Sequence, residues 1–399
     1  MAFDVSQKMS LIIHLDNFGY PDLAEISGWM KNRPAGSESN RISIVNELKP
    51  SDLYLYFYAK FGPPNGFQNL MRNDDSDNLV HWDWTFKHQN GLLSFWGMNR
   101  RTEVLFIGNW DFEKIDKAQV IRSIKSDFKN HGAKMSLLRK DMLENWETFV
   151  NPYHNLESSI RMMEKELEEL QVCPETDRFP DYETPSGATR VGELVSDISK
   201  RYVRAYGISK SLQALTPVMA ESFLNLLLLL LMKKEIRENE RIKDSVIRAN
   251  IDVKVQSLSL HCNGFGSAID WKAEPCVRYN RVINHRNDIL HGNIVISKLK
   301  TGEIFFNEKV PVFKKYSDMW EQLFERRLEA SGFNQVAEDL EAVRGFVSYI
   351  LDCLEPASRE VMEQFMGRSE IGRNFEDGRF GLLLPDHLVD MMPGMIQDG

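Results

Sequence analysis

The sequence predicts an α+β protein in which an antiparallel β-rich domain precedes an all-α helical bundle. Two observations favour this fold class. In about the first hundred residues, apolar side chains alternate with polar or aromatic ones, a period of two that is typical of half-buried strands. From about residue 111 the apolar side chains recur every three or four positions, which is the period of a helix. The chain of 399 residues is long enough for two or three domains.

Four runs in the N-terminal part predict strands, and they lie at 53–61, 81–87, 92–98 and 103–107. Asn90-Gly91 lies between the second and third runs and is a favoured hairpin turn, so these two strands are expected to pair. The first run carries three tyrosines and the second carries two tryptophans. Aromatic side chains on strands mostly pack against the sheet, although exposed ones can stack on nucleobases.

Helical spacing predicts a connector over 111–173, with one helix ending at Asn130-His131-Gly132 and a second helical region interrupted at Asn151-Pro152. A stretch rich in proline and acidic residues at 174–187 is expected to be a linker. The β-rich N-terminal domain is therefore assigned to 1–110, and the linker separates the connector from the helical domain.

The rest of the chain is predicted to form a helical domain over 188–366 and a loop-like tail over 367–399. A hairpin with strands at 294–298 and 303–307 is expected within this domain. Helices are expected at 189–204, 210–237, 240–259, 275–291, 315–330, 334–354 and 356–366. The most apolar stretch, Phe223–Met232, has roughly half the length that a membrane span needs, so it is expected to be a buried core helix.

Composition narrows the classes of partner and compartment. The formal net charge of −9 argues against a broad surface for duplex nucleic acid, but it leaves room for a small phosphate site. The four cysteines lie far apart, and the N-terminus has neither the basic region nor the long apolar run of a secretory signal. We therefore expect a cytoplasmic protein with no cofactor, no bound metal and no membrane association.

The segment from Glu274 to Gly292 holds the side chains that can carry chemistry. Its proline at the second position suits the first turn of a helix, and its final glycine suits the end. On a helical wheel Arg286 falls near the centre of an apolar arc. That arc consists of Tyr279, Val282, Ile283, Ile289 and Leu290. A guanidinium placed there must be paired or must face a groove, because burying it unpaired is costly.

Two further polar side chains accompany Arg286. Asn287 and His291 lie four residues apart on one flank of the arc, so their side chains can meet. His291 is in the last helical turn, where the helix dipole favours a protonated imidazole. An arginine that binds phosphate, beside a histidine that exchanges a proton near neutral pH, is suited to RNA cleavage.

The run Arg286-Asn287-Asp288-Ile289-Leu290-His291 resembles the Arg-Asn-x-x-x-His motif of HEPN-domain ribonucleases. This family includes toxins and abortive-infection effectors of prokaryotic defence. The resemblance implies that 188–366 is a HEPN-like helical bundle, that two copies of the chain form one composite site, and that the activity serves antiphage defence or growth arrest. It covers nothing of the β-rich domain, which is expected by analogy to bind a regulatory ligand or protein.

The resemblance further implies a metal-independent endoribonuclease whose substrate is RNA. His291 would take the proton from a ribose 2′-OH, which attacks the adjacent phosphate, while Arg286 stabilises the charge on the phosphoryl oxygens. His291 of the partner subunit would protonate the leaving 5′-oxygen, and Asn287 would orient the histidine or the phosphate. The products would be a 2′,3′-cyclic phosphate and a 5′-hydroxyl.

Three alternatives compete with this hypothesis. Arg286 can be half of a structural ion pair with Glu221, the one acid within the apolar run 215–232, and such a pair is also compatible with phosphate binding. The domain can be a non-catalytic HEPN-like module for dimerisation or ligand binding, acting as a sensor or a partner-binding subunit. A zinc site is the third alternative, although its residues lack the paired spacing of common zinc sites. Its ligands would be His261, Cys262, Cys276 and His285; the last is otherwise expected at the surface.

Overall fold

The computed structural model describes residues 15–68, 79–174, 176–177, 187–292, 303–315, 320 and 324–384. The chain divides into two compact units. The first contains Met1–Glu147 and Gly372–Gly399, and the second contains Thr148–Ile371. An antiparallel sheet lies in the N-terminal region and most helices lie C-terminal to it, which confirms the predicted α+β class. The division after Glu147 falls within the predicted helical connector.

The described part of the first unit combines a four-stranded antiparallel sheet with three α-helices. The helices are α1 (Leu23–Lys31), α2 (Pro50–Phe61) and α3 (Lys117–Met142), and the strands are β1 (Glu38–Ile44), β2 (Trp82–His88), β3 (Gly91–Gly97) and β4 (Thr102–Gly108). The strand order is β1-β4-β3-β2. The predicted hairpin is confirmed, because His88 pairs with Gly91 and closes a two-residue loop. Gly91 has a φ of 137°, and a Cβ there would lie 2.0 Å from the carbonyl oxygen of Ile107, so this position requires glycine.

The strand predicted at 53–61 is wrong, because these residues form most of helix α2. Pro50 lies in the first turn, where its missing N–H costs nothing, and Gly62 ends the helix with a φ of 93°. The buried side chains of α2 are Leu53, Leu55, Tyr56, Phe57 and Ala59. A helix that is buried on several sides loses its clear period of 3.6, and its sequence then resembles the alternation of a strand.

Aromatic side chains fill the space between the sheet and helices α2 and α3. Trp84 is fully buried and its ring centroid lies 5.4 Å from that of Phe57. Tyr56 is also buried, with its ring 5.1 Å from that of Phe128 on α3. Neither Trp84 nor Tyr56 is available to stack on a base, so the prediction that these rings serve packing is confirmed.

Helix α3 continues past Asn130-His131-Gly132, where the sequence predicted an end. Beyond that point Lys134 Nζ donates a hydrogen bond of 2.6 Å to the carbonyl oxygen of Ala59 on α2. Glycine inside a helix costs about 1 kcal/mol relative to alanine, which contacts of this kind offset. The predicted break at Asn151-Pro152 is confirmed, because Asn151 caps helix α4 (Pro152–Glu169) by accepting a hydrogen bond from the N–H of Tyr153.

The second unit is mostly helical. Besides α4, its described helices are α5 (Gly187–Leu231), α6 (Lys234–Arg237), α7 (Glu240–Ile247), α8 (Ile251–His261), α9 (Glu274–Leu290), α10 (Arg326–Ala330), α11 (Val336–Asp352) and α12 (Pro356–Met366). The other described strands of the chain are β5 (Trp146–Val150), β6 (Ile304–Asn307), β7 (Val310–Phe313), β8 (Glu370–Asn374) and β9 (Phe380–Gly381). Strands β5, β8 and β9 form one sheet in that order, and β6 pairs with β7.

Helix α5 is the longest element that the structure describes. It replaces the two helices predicted at 189–204 and 210–237, because it continues through Gly207. Its segment Leu194–Leu231 is long and apolar enough to cross a membrane by length and composition, yet half of its most apolar window is buried within the fold. The helix packs against α4, α9 and α11, as a core helix does.

The helices predicted at 275–291, 334–354 and 356–366 are confirmed within two residues at each end. The helix predicted at 240–259 is instead divided into α7 and α8. Of the helix predicted at 315–330, the described residues form an α-helix at Arg326–Ala330.

The structure describes one strand of the predicted hairpin, and the predicted pairing of that strand stays a prediction. Strand β6 pairs with β7 through a loop of Glu308 and Lys309, whereas the partner predicted at 294–298 lies outside the described residues. Glu308 has a φ of 55°, a left-handed conformation that glutamate rarely adopts. Glycine or asparagine usually marks a tight hairpin turn in a sequence, and this loop contains neither, so its sequence does not indicate the turn.

Candidate functional site

Helix α9 carries the predicted motif and packs against helices α5 and α11. Its side chains Tyr279, Val282 and Ile283 are buried and form the apolar face expected from the sequence. The side chain of Ile289, also assigned to that face, lies outside the described part. The Tyr279 ring stacks on Phe346 of α11 with ring centroids 4.1 Å apart, and this contact fixes the rotation of α9 about its axis.

Arg286 is held by a carboxylate on the neighbouring helix. Its guanidinium donates a hydrogen bond of 2.6 Å to Glu221 of α5, so the ion pair considered from the sequence is present. The arginine side chain is 16% exposed and that of Glu221 is 33% exposed. An unpaired guanidinium would be costly at this degree of burial, and the carboxylate offsets much of that cost.

Asn287 and His291 lie at the open end of the same helix. The backbone N–H of His291 donates a hydrogen bond of 3.0 Å to the carbonyl oxygen of Asn287, and Gly292 follows with a φ of 61°. His291 is exposed and Asn287 is partly buried. Among the described residues, no side-chain hydrogen bond joins His291 to Asn287 or to Arg286. The structure thus brings Arg286 and Glu221 together and leaves the imidazole as a separate, exposed group.

Three hydrogen bonds follow one face of α5. Residues spaced by four share a helix face, and those on this face are Pro217, Glu221 and Asn225. The Tyr279 hydroxyl donates a hydrogen bond of 3.4 Å to the backbone carbonyl oxygen of Pro217. Arg286 donates one of 2.6 Å to the side-chain carboxylate of Glu221. Lys254 of α8 donates one of 3.4 Å to the side-chain oxygen of Asn225. The earlier residue of α9 bonds to the earlier residue of α5, and the later residue bonds to the later one. The two helices therefore run parallel to each other here. The end of α9 with His291 therefore points toward the Asn225 level of α5.

Lys254 and Asn225 were not predicted as part of this cluster. Lys254 is 8% exposed; burial lowers its pKa, and the negative charge of Glu221 opposes that shift only in part. Two signals for these residues were present in the sequence. Asn225 lies four positions after Glu221 in an otherwise apolar run, and Lys254 lies four positions before the buried Leu258, on the apolar face of α8.

The cluster combines two cations, Arg286 and Lys254, with one carboxylate, Glu221. It is open to solvent, because Asn225 is exposed and Glu221 is one-third exposed. Burial raises the pKa of the neighbouring Tyr279 well above its usual value, so this phenol stays neutral beside the charges. A largely buried pair of cations at an open face can bind an anion through charge-assisted hydrogen bonds.

His285, expected at the surface, is partly exposed and lies beside an acid of α11. Its imidazole is 26% exposed, and its Nδ1 lies 3.7 Å from the carboxylate of Asp339 on α11. The zinc alternative fails, since no group of three or more potential ligands is close enough to hold a metal within the described residues. Cys262 and Cys276 are buried thiols whose pKa values burial raises to about 12 and about 11, and protonated thiols are poor metal ligands.

Comparisons of this chain with protein-family models, with curated proteins and with solved structures find no match.

Proposed function

We propose that this chain is a metal-independent endoribonuclease whose catalytic side chains are Arg286, Asn287 and His291, with Glu221 in support. The observation that carries the proposal is the partly buried Arg286, which Glu221 holds on helix α9 just before the exposed His291. A guanidinium held in place is a fixed binding group for phosphate, and an exposed imidazole can exchange protons near neutral pH. RNA supplies its own nucleophile, so these groups are sufficient for cleavage when a second histidine is present.

In the proposed reaction His291 removes the proton from a ribose 2′-OH. The 2′-oxygen attacks the adjacent phosphorus and the bond from phosphorus to the 5′-oxygen breaks. The partner subunit's His291 donates a proton to the leaving 5′-oxygen, and Arg286 stabilises the negative charge that develops on the phosphoryl oxygens. Asn287 orients the imidazole or the phosphate. The products are a 2′,3′-cyclic phosphate and a 5′-hydroxyl.

This composite site requires a homodimer, and the β6–β7 hairpin offers a surface for the second copy. Its apolar side chains are between 46% and 66% exposed, and they are Ile304, Phe305, Phe306, Val310, Val312 and Phe313. A two-stranded hairpin is at best marginally stable alone in water, and an apolar patch of this kind usually marks an interaction site. We assign it to contacts between two copies of this chain.

The proposed setting is the cytoplasm, where the nuclease acts in antiphage defence or in toxin-like growth arrest. The N-terminal β-rich domain then binds the regulatory ligand or protein that controls cleavage. Both statements depend on the resemblance of the Arg286–His291 motif to HEPN ribonucleases.

A non-catalytic HEPN-like module for dimerisation or ligand binding, acting as a sensor or partner-binding subunit, is the second candidate. The ion pair of 2.6 Å between Arg286 and Glu221 favours it, because the carboxylate already neutralises the guanidinium. An arginine in such a pair can serve the fold alone.

The experiment that separates the candidates is incubation of the purified protein with total RNA and tRNA in EDTA. Wild type is compared with Arg286→Ala, His291→Ala and Arg281→Ala; the last is the matched control, because Arg281 is exposed on the same helix. We expect wild type and the control to leave cyclic-phosphate ends. Loss of the catalytic histidine or arginine should slow cleavage at least about 100-fold, the usual effect of removing an acid–base or charge-stabilising group.

The same wild-type preparation should sediment as a dimer. If the folded dimer binds phosphate but does not cut RNA, the second candidate replaces the nuclease. Equal cleavage by all four proteins would show that the activity comes from another site or from a contaminant.

A further inference from the structure

The cluster around Glu221 contains one more positive charge than negative charges. Arg286 is hydrogen-bonded to the carboxylate, and Lys254 interacts electrostatically with it. Both cations are largely buried, at 16% exposure for the arginine side chain and 8% for the lysine. Among the residues that the structure describes, no second carboxylate pairs with either of them. Largely buried excess charge is costly, so an anion bound at this place would stabilise the fold.

Both cations have donors that the protein does not use. The Nε of Arg286 is buried and lacks a hydrogen-bond partner within the described ranges. The ammonium of Lys254 has three protons but makes one hydrogen bond, to Asn225, and its 3.4 Å length is beyond the usual range. These unused donors come from two different helices and bond to neighbouring turns of α5, at Glu221 and at Asn225, an arrangement that suits the several oxygens of a phosphate group.

The open side of the cluster leads toward the exposed end of α9. Asn225, which accepts from Lys254, is exposed, and Leu290 beside His291 is 58% exposed. Because α9 and α5 run in the same direction here, the lysine lies at the end of the cluster that faces His291. A phosphate bound by both cations would then lie on the side of Glu221 toward the end of α9 that carries His291.

We propose that Lys254 and Arg286, which bond to Asn225 and Glu221 one turn apart on α5, together form a phosphate-binding site, and that the ligand is one phosphodiester of the RNA substrate. Lys254 is a binding residue of this site. Glu221 is bonded to Arg286 and acts on Lys254 only through its charge, so one carboxylate faces two cations and the site keeps the net charge that an anion requires. The choice of RNA as ligand rests on the proposed function, whereas the anion site does not.

The test measures anion binding separately from cleavage. The variants are Lys254→Met, which keeps the length of the side chain without its charge, and Lys254→Arg, which keeps the charge. Lys210→Met is the matched control, because Lys210 is also a partly buried lysine in this unit whose pKa burial lowers, yet it donates to the carbonyl oxygen of Ala330. The probes are inorganic phosphate, followed by the rise in Tm, and a labelled 2′-deoxy oligonucleotide that cannot be cleaved, followed by fluorescence anisotropy.

We expect Lys254→Met to weaken binding of both probes about tenfold or more, the usual effect of losing a charged hydrogen bond. The slope of log K against log salt for the oligonucleotide should fall by about 0.7, as for one lost phosphate contact on a single strand. Lys254→Arg and Lys210→Met should bind within about threefold of wild type, which is well under the effect of one such bond. Circular dichroism in phosphate-free buffer shows whether each variant is folded. Lys254→Gln, which keeps a polar group without the charge, replaces the methionine variant if that variant is not folded, and the same loss of binding is expected from it.

The proposal is overturned if Lys254→Met binds both probes as wild type does, or if wild type binds neither. Loss of binding in Lys254→Met, together with a wild type that cuts no RNA, would support the phosphate site and reject the nuclease. Cleavage by wild type, together with normal binding and cleavage by Lys254→Met, would support the nuclease and reject this role for the lysine.

Discussion

Each unit of the protein holds a lysine beside carboxylates, but the balance of charge differs between them. In the first unit Lys60 of α2 lies between two acids, with Nζ 2.5 Å from Asp127 of α3 and 2.5 Å from Asp16. In the second unit the single acid Glu221 is bonded to Arg286 and acts on Lys254 only through its charge. The first cluster therefore has a carboxylate in excess, and the second has a cation in excess.

The pKa values of the two lysines move in opposite directions. Burial lowers the pKa of Lys60, but the hydrogen bonds and charges of Asp127 and Asp16 raise it by more, so the net shift is upward. Burial also lowers the pKa of Lys254, and there Glu221 does not compensate. A lysine whose charge is satisfied within the fold stabilises that fold, whereas one whose charge is not satisfied remains available to a ligand.

The largest effect is expected in the first cluster, from Asp127→Ala. Asp127 accepts hydrogen bonds from Lys60 (2.5 Å), Tyr56 (2.6 Å) and Asn130 (2.8 Å), so its removal leaves the buried phenol without its acceptor and leaves the ammonium with Asp16 alone. We expect the free energy of unfolding to fall by about 2–4 kcal/mol. Urea denaturation followed by tryptophan fluorescence measures it.

Asp141→Ala is the control for that change, because Asp141 is exposed on the same helix α3. It should alter stability by no more than about 0.5 kcal/mol, as surface substitutions usually do. If both variants lose the same stability, the Lys60 cluster does not hold α2 to α3, and the contrast with the second unit disappears.

A smaller effect with two parts is expected from Glu221→Gln in the second cluster. Removing the carboxylate leaves two cations without an acid, so stability should fall by about 1–2 kcal/mol in phosphate-free buffer. Affinity for inorganic phosphate should rise severalfold, because the anion then replaces the lost charge. The rise in Tm with phosphate concentration measures both quantities in one series.

The matching variant in the first cluster is Asp16→Asn, which leaves Lys60 paired with Asp127. It should give no gain in phosphate binding. If Glu221→Gln also fails to bind phosphate more tightly than wild type, the carboxylate does not compete with an anionic ligand, and the two clusters are both structural.

Local sequence signals predicted the parts of this structure that depend on neighbours in the chain. Asn90-Gly91 located the β2–β3 hairpin, and Gly292 located the end of α9. The placement of Arg286 within an apolar arc predicted its burial. Glu221 was the expected partner, because no other acid interrupts the apolar run 215–232, and the ion pair is present.

The rest depends on which helix covers which face, and periodicity does not contain that information. Lys254 reaches Asn225 from another helix, 29 positions away in the chain, so no spacing rule relates them. Helix α2 was predicted as a strand because Leu55 and Phe57 are both buried although they lie two positions apart, and burial at that spacing hides the helical period. Sequence patterns thus indicate that a position is buried, and the tertiary structure determines what it is buried against.

The smallest effect is expected from pH and concerns Asp127. Burial raises the pKa of this carboxyl, but hydrogen bonds from Lys60, Tyr56 and Asn130 lower it by more, from 3.8 to about 2. Because the folded value is the lower one, the ionised carboxylate stabilises the fold fully above about pH 4, and this contribution is lost as the pH falls through about 2. We expect this contribution to the free energy of unfolding to be about 1 kcal/mol after solvent screening of the exposed part.

The free energy of unfolding measured between pH 4 and 2 should fall less steeply in Asp127→Asn than in wild type. Lys254→Met should follow wild type, because its cluster has no such carboxylate network. Parallel curves for wild type and Asp127→Asn would mean that this carboxyl is not held by its partners, and the first cluster would then be no more satisfied than the second.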